Sequence, residues 1–319
     1  MTSLFQTTLE LGLISSLTVL ALYLSYSMLN ICDLSTDGAF TMGAAAGAVM
    51  VIAGHPFLAV PSAMLAGALS GLLTALLQTK MGMDSLLSGI VVNTGAYSIN
   101  IAIMGGSSLL NMNGRNTAFS FITDALEGSS LEAAGKLITA AFFVLAVGTS
   151  LAFFLRTRLG LALRAAGDNP DMVRSSSINI TAITILGLCI SGSFTALSGC
   201  LLACYSKSAN INIGTGMLTV ALASLLIGRM FFKKGGTALG IAGAVAGSVL
   251  FRLFYTLALR LNMPAYMLKL ASSVIVIIAI AGPHFLEKVK KRGSRLTAAA
   301  LFKRKESHHA EIKSYIKNF

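Results

Sequence analysis

The residues of this sequence that could do chemistry are the few polar side chains that interrupt its long apolar runs. Asp33 and Asp37 fall in the segment DLSTDG, between one apolar run and the next. A carboxylate near lipid is costly unless it is solvated, paired or at a helix amino end, so Asp37 either caps the helix that follows it or lines a water-filled path. Asn93, Tyr97 and Asn100 recur at spacings of four and three, which puts them on one helical face, for bonding between helices or for lining a path. Ser191, Thr195 and Ser198 repeat that periodicity with weaker chemistry, and helix packing is the favoured reading. Arg252 lies inside an apolar run and should be paired or should snorkel outward, with a structural partner favoured over a substrate carboxylate. Cys32, Cys189, Cys200 and Cys204 have neither a disulfide framework nor zinc spacing and read as packing residues. The sequence has no G-x-x-x-x-G-K-S/T phosphate loop, no H-E-x-x-H and no G-x-S-x-G, and its histidines sit at span ends or in the tail. No catalytic, metal or cofactor constellation follows.

The elements that must position these residues are membrane helices. Of 319 residues, 55% are hydrophobic and 11% charged, and the charges bracket long neutral runs: 22 residues between Glu10 and Asp33, 42 between Asp37 and Lys80, 32 between Arg174 and Lys207. About 20 apolar residues cross a bilayer as a helix, and barrel strands would alternate in polarity, so the fold class is all-α, a polytopic helical bundle. Nine spans (eight to ten) are expected, near residues 9–29, 38–54, 57–79, 86–104, 137–155, 180–204, 217–232, 237–259 and 268–283. Gly54, His55 and Pro56 divide the 42-residue run into a hairpin, with Pro61 adding breaker chemistry. Four small-xxx-small pairs, Gly43/Gly47, Gly67/Gly71, Gly236/Gly240 and Gly243/Gly247, describe a dense bundle or a dimer contact.

Of the net charge of +12, residues 284–319 hold ten Lys or Arg against three Glu, leaving +5 for the rest. A basic cluster directly after a span reads as a cytoplasmic anchor on anionic lipid, not as nucleic-acid binding. The sequence therefore divides into a transmembrane domain, residues 1–283, and a basic cytoplasmic tail, residues 284–319. Arg156, Arg158, Arg164 and Arg174 make the 156–179 loop cytoplasmic as well; alternate crossings then put the 105–136 loop and the amino terminus outside. The amino terminus lacks the basic region of a secretory signal, so no cleaved peptide is expected. DLSTDG on the inner side and SANINIGTG, residues 208–216, on the outer side each open onto a Gly- and Ala-rich helix, as an inverted internal repeat would produce.

The loop RTRLGLALRAAGDNPDMVRSSSIN, residues 156–179, predicts two short helices: Leu159–Ala166, stopped by Gly167, and a second with Asn169 as N-cap, Pro170 at its first position and Asp171 in its first turn. A solvated basic loop is the plain alternative. LGLALRAAGDNPDMVRSSSIN resembles the cytoplasmic coupling segment, G-x-a-l-R-A-x-G-x-N-P, of ABC-importer permeases for branched-chain amino acids, ribose and nucleosides. The segments LELGLISSLTVLALYLSYSMLNICDLSTDGAFTMGAA, TKMGMDSLLSGIVVNTGAYSINIAIMG and KKGGTALGIAGAVAGSVLFRLFYTLAL resemble the tryptophan/tyrosine transport subgroup, and the likeness covers about residues 8–285.

The resemblance implies that Gly160, Arg164, Ala165, Gly167, Asn169 and Pro170, with Ala166, Asp168 and Arg174 in the same segment, seat in a groove of a separate ATPase; Ser177 departs from the glycine common at its place. It implies an importer in the bacterial inner membrane with its carboxyl terminus cytoplasmic. The partners would be a second permease copy, two ATPase subunits that bind ATP and Mg, and an extracytoplasmic binding protein, with no cofactor in this chain. Asp37, Asn93, Tyr97 and Asn100 become pathway candidates. The solute would be an amino acid, aromatic by the subgroup; a sugar or nucleoside is the alternative, and an ion-coupled secondary transporter the rival class.

Overall fold

The computed structural model describes residues 2–120, 135–176, 178–231 and 236–260, with 270, 273, 274, 276 and 277. The expected tail, residues 284–319, lies outside the described residues, as does most of the ninth expected span.

Helix α1 (Thr2–Leu22) runs on into a π-helical end, Tyr23–Met28. Then come α2 (Thr36–Ile52), α3 (Pro56–Thr79), α4 (Ser85–Ile103), β1 (Leu109–Asn111), α5 (Gly135–Phe154), α6 (Arg158–Asp168), α7 (Pro170–Ser175), α8 (Ile180–Ser206), β2 (Ser208–Asn210), α9 (Met217–Phe231) and α10 (Thr237–Arg260). Among the described residues, six helical segments are long and apolar enough to cross a membrane, and α2 and α9 are shorter apolar helices. The chain is a polytopic helical membrane protein. Pro61, read from sequence as part of a break, sits inside α3, which starts at Pro56; only one early backbone bond is lost there.

Helix α8 is the axis of the bundle. Its serines hold α1 antiparallel to it: Ser191 Oγ donates to Ala21 O at 3.0 Å and Ser198 Oγ to Ile14 O at 2.7 Å, which bears out the packing reading of that face. The glycine pairs pack this chain upon itself. Gly43 and Gly47 lie against Ala196 and Cys200, Gly67 and Gly71 against Gly192 and Leu188, and Gly247 against Ser224 and Gly228. A Cβ at most of these glycines would strike backbone, so the helices approach because the side chain is absent. A Cβ at Gly236 would meet nothing within 4 Å among the described residues.

The loops gather at two opposite ends of the bundle. At one end β1 pairs antiparallel with β2 (Leu109↔Asn210), so the 105–120 and 208–216 segments meet there. Glu10, which served in the sequence only as a span boundary, is buried at that end and accepts from Tyr205 Oη at 2.9 Å and Gln6 Nε2 at 3.1 Å. The 29–35 link and α6 lie together at the opposite end, where Gly167 packs on Met28 and Leu29.

Candidate functional site

Two broken helices meet inside the bundle. The chain enters α2 from the α6 end, through a turn in which buried Asp33 Oδ1 accepts Ser35 N–H at 2.9 Å and Ser35 Oγ at 2.6 Å. It enters α9 from the β-ribbon end, through residues 211–216. The tips touch at Asp37, whose Oδ2 accepts Gly216 N–H and whose Oδ1 accepts Leu218 N–H, both at 2.8 Å. A helix amino end carries free N–H groups and partial positive charge, and a carboxylate satisfies both. This corrects the capping reading of Asp37. It caps α9, 179 residues away, while Ser35 at the start of its own helix makes no side-chain cap bond. The two interruptions do lead in from opposite ends, but their tips are in contact, the geometry of discontinuous helices at the middle of a transporter.

Helix α4 packs beside this junction. Gly38 lies against Asn93 and Ala96, and Asn100 Nδ2 donates to Gly38 O at 3.3 Å. Asn100 is 1% exposed and its Oδ1 has no partner among the described residues. Asn93 and Asn100 thus face α2. Tyr97, predicted on the same face, is 51% exposed, with Thr94 and Ser98 also exposed beside it. Seven residues span nearly two turns, and the 100° step carries Tyr97 to the edge of the stripe.

Arg252 in α10 has no carboxylate partner among the described residues; its guanidinium lies 5.5 Å from the Tyr255 ring centre and its buried Nε is unbonded. The partner is an aromatic face, a cation–π contact that sequence spacing did not single out. All four cysteines are free, Cys200 and Cys204 buried.

The segment between α5 and α8 forms the two predicted helices. Asn169 Oδ1 accepts Met172 N–H at 3.1 Å, Pro170 opens α7, and Asp171 pairs weakly with Arg174 at 3.7 Å. Thr157, overlooked in the sequence, caps α6 by accepting Gly160 N–H at 3.3 Å; a Thr just before the helical stretch was the available signal. Gly167 does not stop α6, which runs through it to Asp168. It is needed for contact, since a Cβ there would meet Met28 O and Leu29, and Gly160 packs equally tightly on Phe154 and Leu155.

Ala166 is 8% exposed and faces the bundle, as do Leu163 and Val173. Arg164 and Ala165 are half-buried. The outer surface is formed by Leu161, Asp168, Asn169, Pro170, Met172 and Arg174, with Met172 65% exposed. The segment is therefore an amphipathic bracket, with Gly160, Leu163, Ala166 and Val173 inward and three large apolar side chains, Leu159, Leu161 and Met172, outward. Ser177 lies outside the described residues.

No solved structure matches this chain. Among curated proteins it is 35% identical to a tyrosine transport system permease protein of Clostridioides difficile, over 89% of this chain and 93% of that one. A nucleoside ABC transporter permease protein of Lactococcus lactis is 26% identical, covering 79% and 83%, and a ribose import permease protein of Haemophilus influenzae is 23% identical, covering 80% and 77%. The family described as branched-chain amino acid transport system, permease component, matches residues 4–281, most of the polytopic bundle together with its bracket and both half-helices. This chain belongs to that family of ABC-transporter permeases.

Proposed function

We propose that this chain is the membrane-spanning subunit of an ATP-driven importer of an amino acid, with tyrosine or a close aromatic relative as the first candidate. The observation that carries the substrate is the 35% identity, over nearly the whole length, to a protein named for tyrosine transport. Two copies form the path, an extracytoplasmic binding protein delivers solute to the β-ribbon end, and two cytoplasmic ATPase subunits, which bind ATP and Mg, engage the bracket. The complex sits in the bacterial plasma membrane with the carboxyl terminus of this chain cytoplasmic.

Three features support this arrangement. The bracket turns Leu161 and Met172 away from the bundle, giving a second protein apolar anchors on an element braced against α1 and α8. The sequence has no phosphate loop of its own, so the energy must come from another subunit. Exposed Thr94, Tyr97 and Ser98 fall in the middle of the otherwise apolar exposed face of α4, where facing lipid is unfavourable. A second copy facing that side would enclose a polar path beside Asp37 and Asn93, with Asn100 holding its wall. ATP-driven closure of the ATPases rocks the two permeases between inward and outward access.

Relatives named for nucleosides and ribose favour a second reading, the same machine carrying a nucleoside or sugar. Proteoliposomes containing the permease with its proposed ATPase and binding-protein partners decide between them. ATP-dependent tyrosine uptake that excess adenosine and ribose leave unchanged is expected. Uptake suppressed by those competitors supports the second reading, and uptake driven by an ion gradient without ATP rejects both.

A further inference from the structure

One stretch of backbone joins the bracket to the half-helix junction. Helix α1 abandons α-helical bonding at Tyr23, continues as a π-helix to Met28, and closes with Leu29 N–H on Leu24 O at 3.1 Å and Ile31 N–H on Ser25 O at 2.9 Å. Asn30 then turns the chain at φ 57, a left-handed conformation that asparagine tolerates better than most residues. π-helical turns are rare inside α-helices and are frequent at functional sites.

Both ends of this stretch are held. Gly167 of α6 rests on Met28 O and Leu29, while Gly187 of α8 meets the side chains of Leu29 and Leu163, so Leu29 is wedged between the bracket and the axial helix. Beyond it, Asp33 and Ser35 fix the next turn and Leu34 lies against Gly89. Eight residues after Leu29, Asp37 grips the first turn of α9. Helix α8 cannot carry motion along the same route on its own, because Gly192 and Gly199 set it against the backbones of α3 and α2. Moving α8 would move the core, since packed interiors shift between discrete arrangements.

We infer that residues 23–35 are the transmission element of the permease: displacement of the bracket moves Leu29, the π-helical end and Asn30 take up the change, and the tip of α2 carries α9 with it through Asp37. The inference rests on the proposed ATPase partner, but it names the route inside this chain and makes Leu29 a positioning residue.

Cys32 lies half-buried in the middle of the route and serves as a native reporter. In the assembled complex, its maleimide labelling rate is measured by peptide mass spectrometry, with and without ATP trapped by vanadate. The expected change between states is at least about threefold, and Leu29→Ala, which removes the wedge, should reduce it to less than about 1.5-fold while the ATPase stays bound; Leu29→Met should restore it. An unchanged Cys32 rate in a native complex that transports overturns the route alone, and so does a full change in Leu29→Ala. If Leu29→Ala does not fold, the native measurement decides. Failure of the ATPase to bind the native chain overturns both the route and the proposed function.

Discussion

Replacing Asp37 with Ala removes two hydrogen bonds, 2.8 Å each, from the Gly216 and Leu218 amides to a carboxylate. Bonds to a charged acceptor contribute about 1.5–3 kcal/mol apiece. Asp37 is only half-buried, so the low end applies, about 3 kcal/mol for the pair together. Each 1.4 kcal/mol is tenfold in an equilibrium, and local opening of the first turn of α9 should rise about a hundredfold. Hydrogen exchange of the peptide covering residues 208–220, read by mass spectrometry on the detergent-solubilised protein, reports that opening directly. Asp37→Asn keeps one acceptor and should fall between the variant and the native chain. A Gly216–Leu218 region equally protected in all three proteins would refute the argument that Asp37 holds the two half-helices together.

The other expectations concern the bracket and the bundle. Asn169→Ala should cost α7 about 1 kcal/mol and weaken ATPase co-purification, and Asn169→Ser should recover most of it, because only a capping acceptor distinguishes them. Ala166→Glu places a carboxylate against the bundle and should lower the yield of monodisperse permease, whereas Met172→Glu should leave the permease monodisperse and lose the ATPase; size-exclusion profiles and pull-downs separate the two. Gly199→Val drives a side chain into the backbone at Phe40 and should abolish folded protein in the membrane, seen as loss of a soluble fraction after detergent extraction. Cysteines at exposed Ser107 and Asp171 should react with an impermeant maleimide from opposite sides of the membrane, and labelling of both in intact spheroplasts would contradict the crossing order.

Within the described residues, the placement of the first eight helical runs, the α2–α3 hairpin and the Asn169–Pro170 cap were legible because each rests on local chemistry: neutral run length, breaker residues, or an acceptor three residues before an N–H. Asp37 was legible as a functional candidate but not in its role, since its partners lie 179 and 181 residues away and no local pattern encodes that pairing. The same limit explains Gly167. In sequence a glycine after a short helix suggests a stop, while its actual requirement comes from Met28 and Leu29, brought alongside by the fold. Ala166 shows the same limit: the motif placed it in the coupling segment, but only the fold shows that it lies inward against the bundle while Leu159, Leu161 and Met172 are exposed. The π-helical end of α1 left no trace in YLSYSM that propensity reasoning could use.

The proposed function requires that a separate ATPase drive this permease through the bracket. Its most direct test places a photo-crosslinking amino acid at Met172, at Leu161 and, as a control at the far end, at Ser107, in cells that express the proposed ATPase partner. Covalent adducts with the ATPase are expected from Met172 and Leu161 and none from Ser107. Adducts absent from both bracket positions, in cells where the transporter is assembled and importing solute, would contradict it.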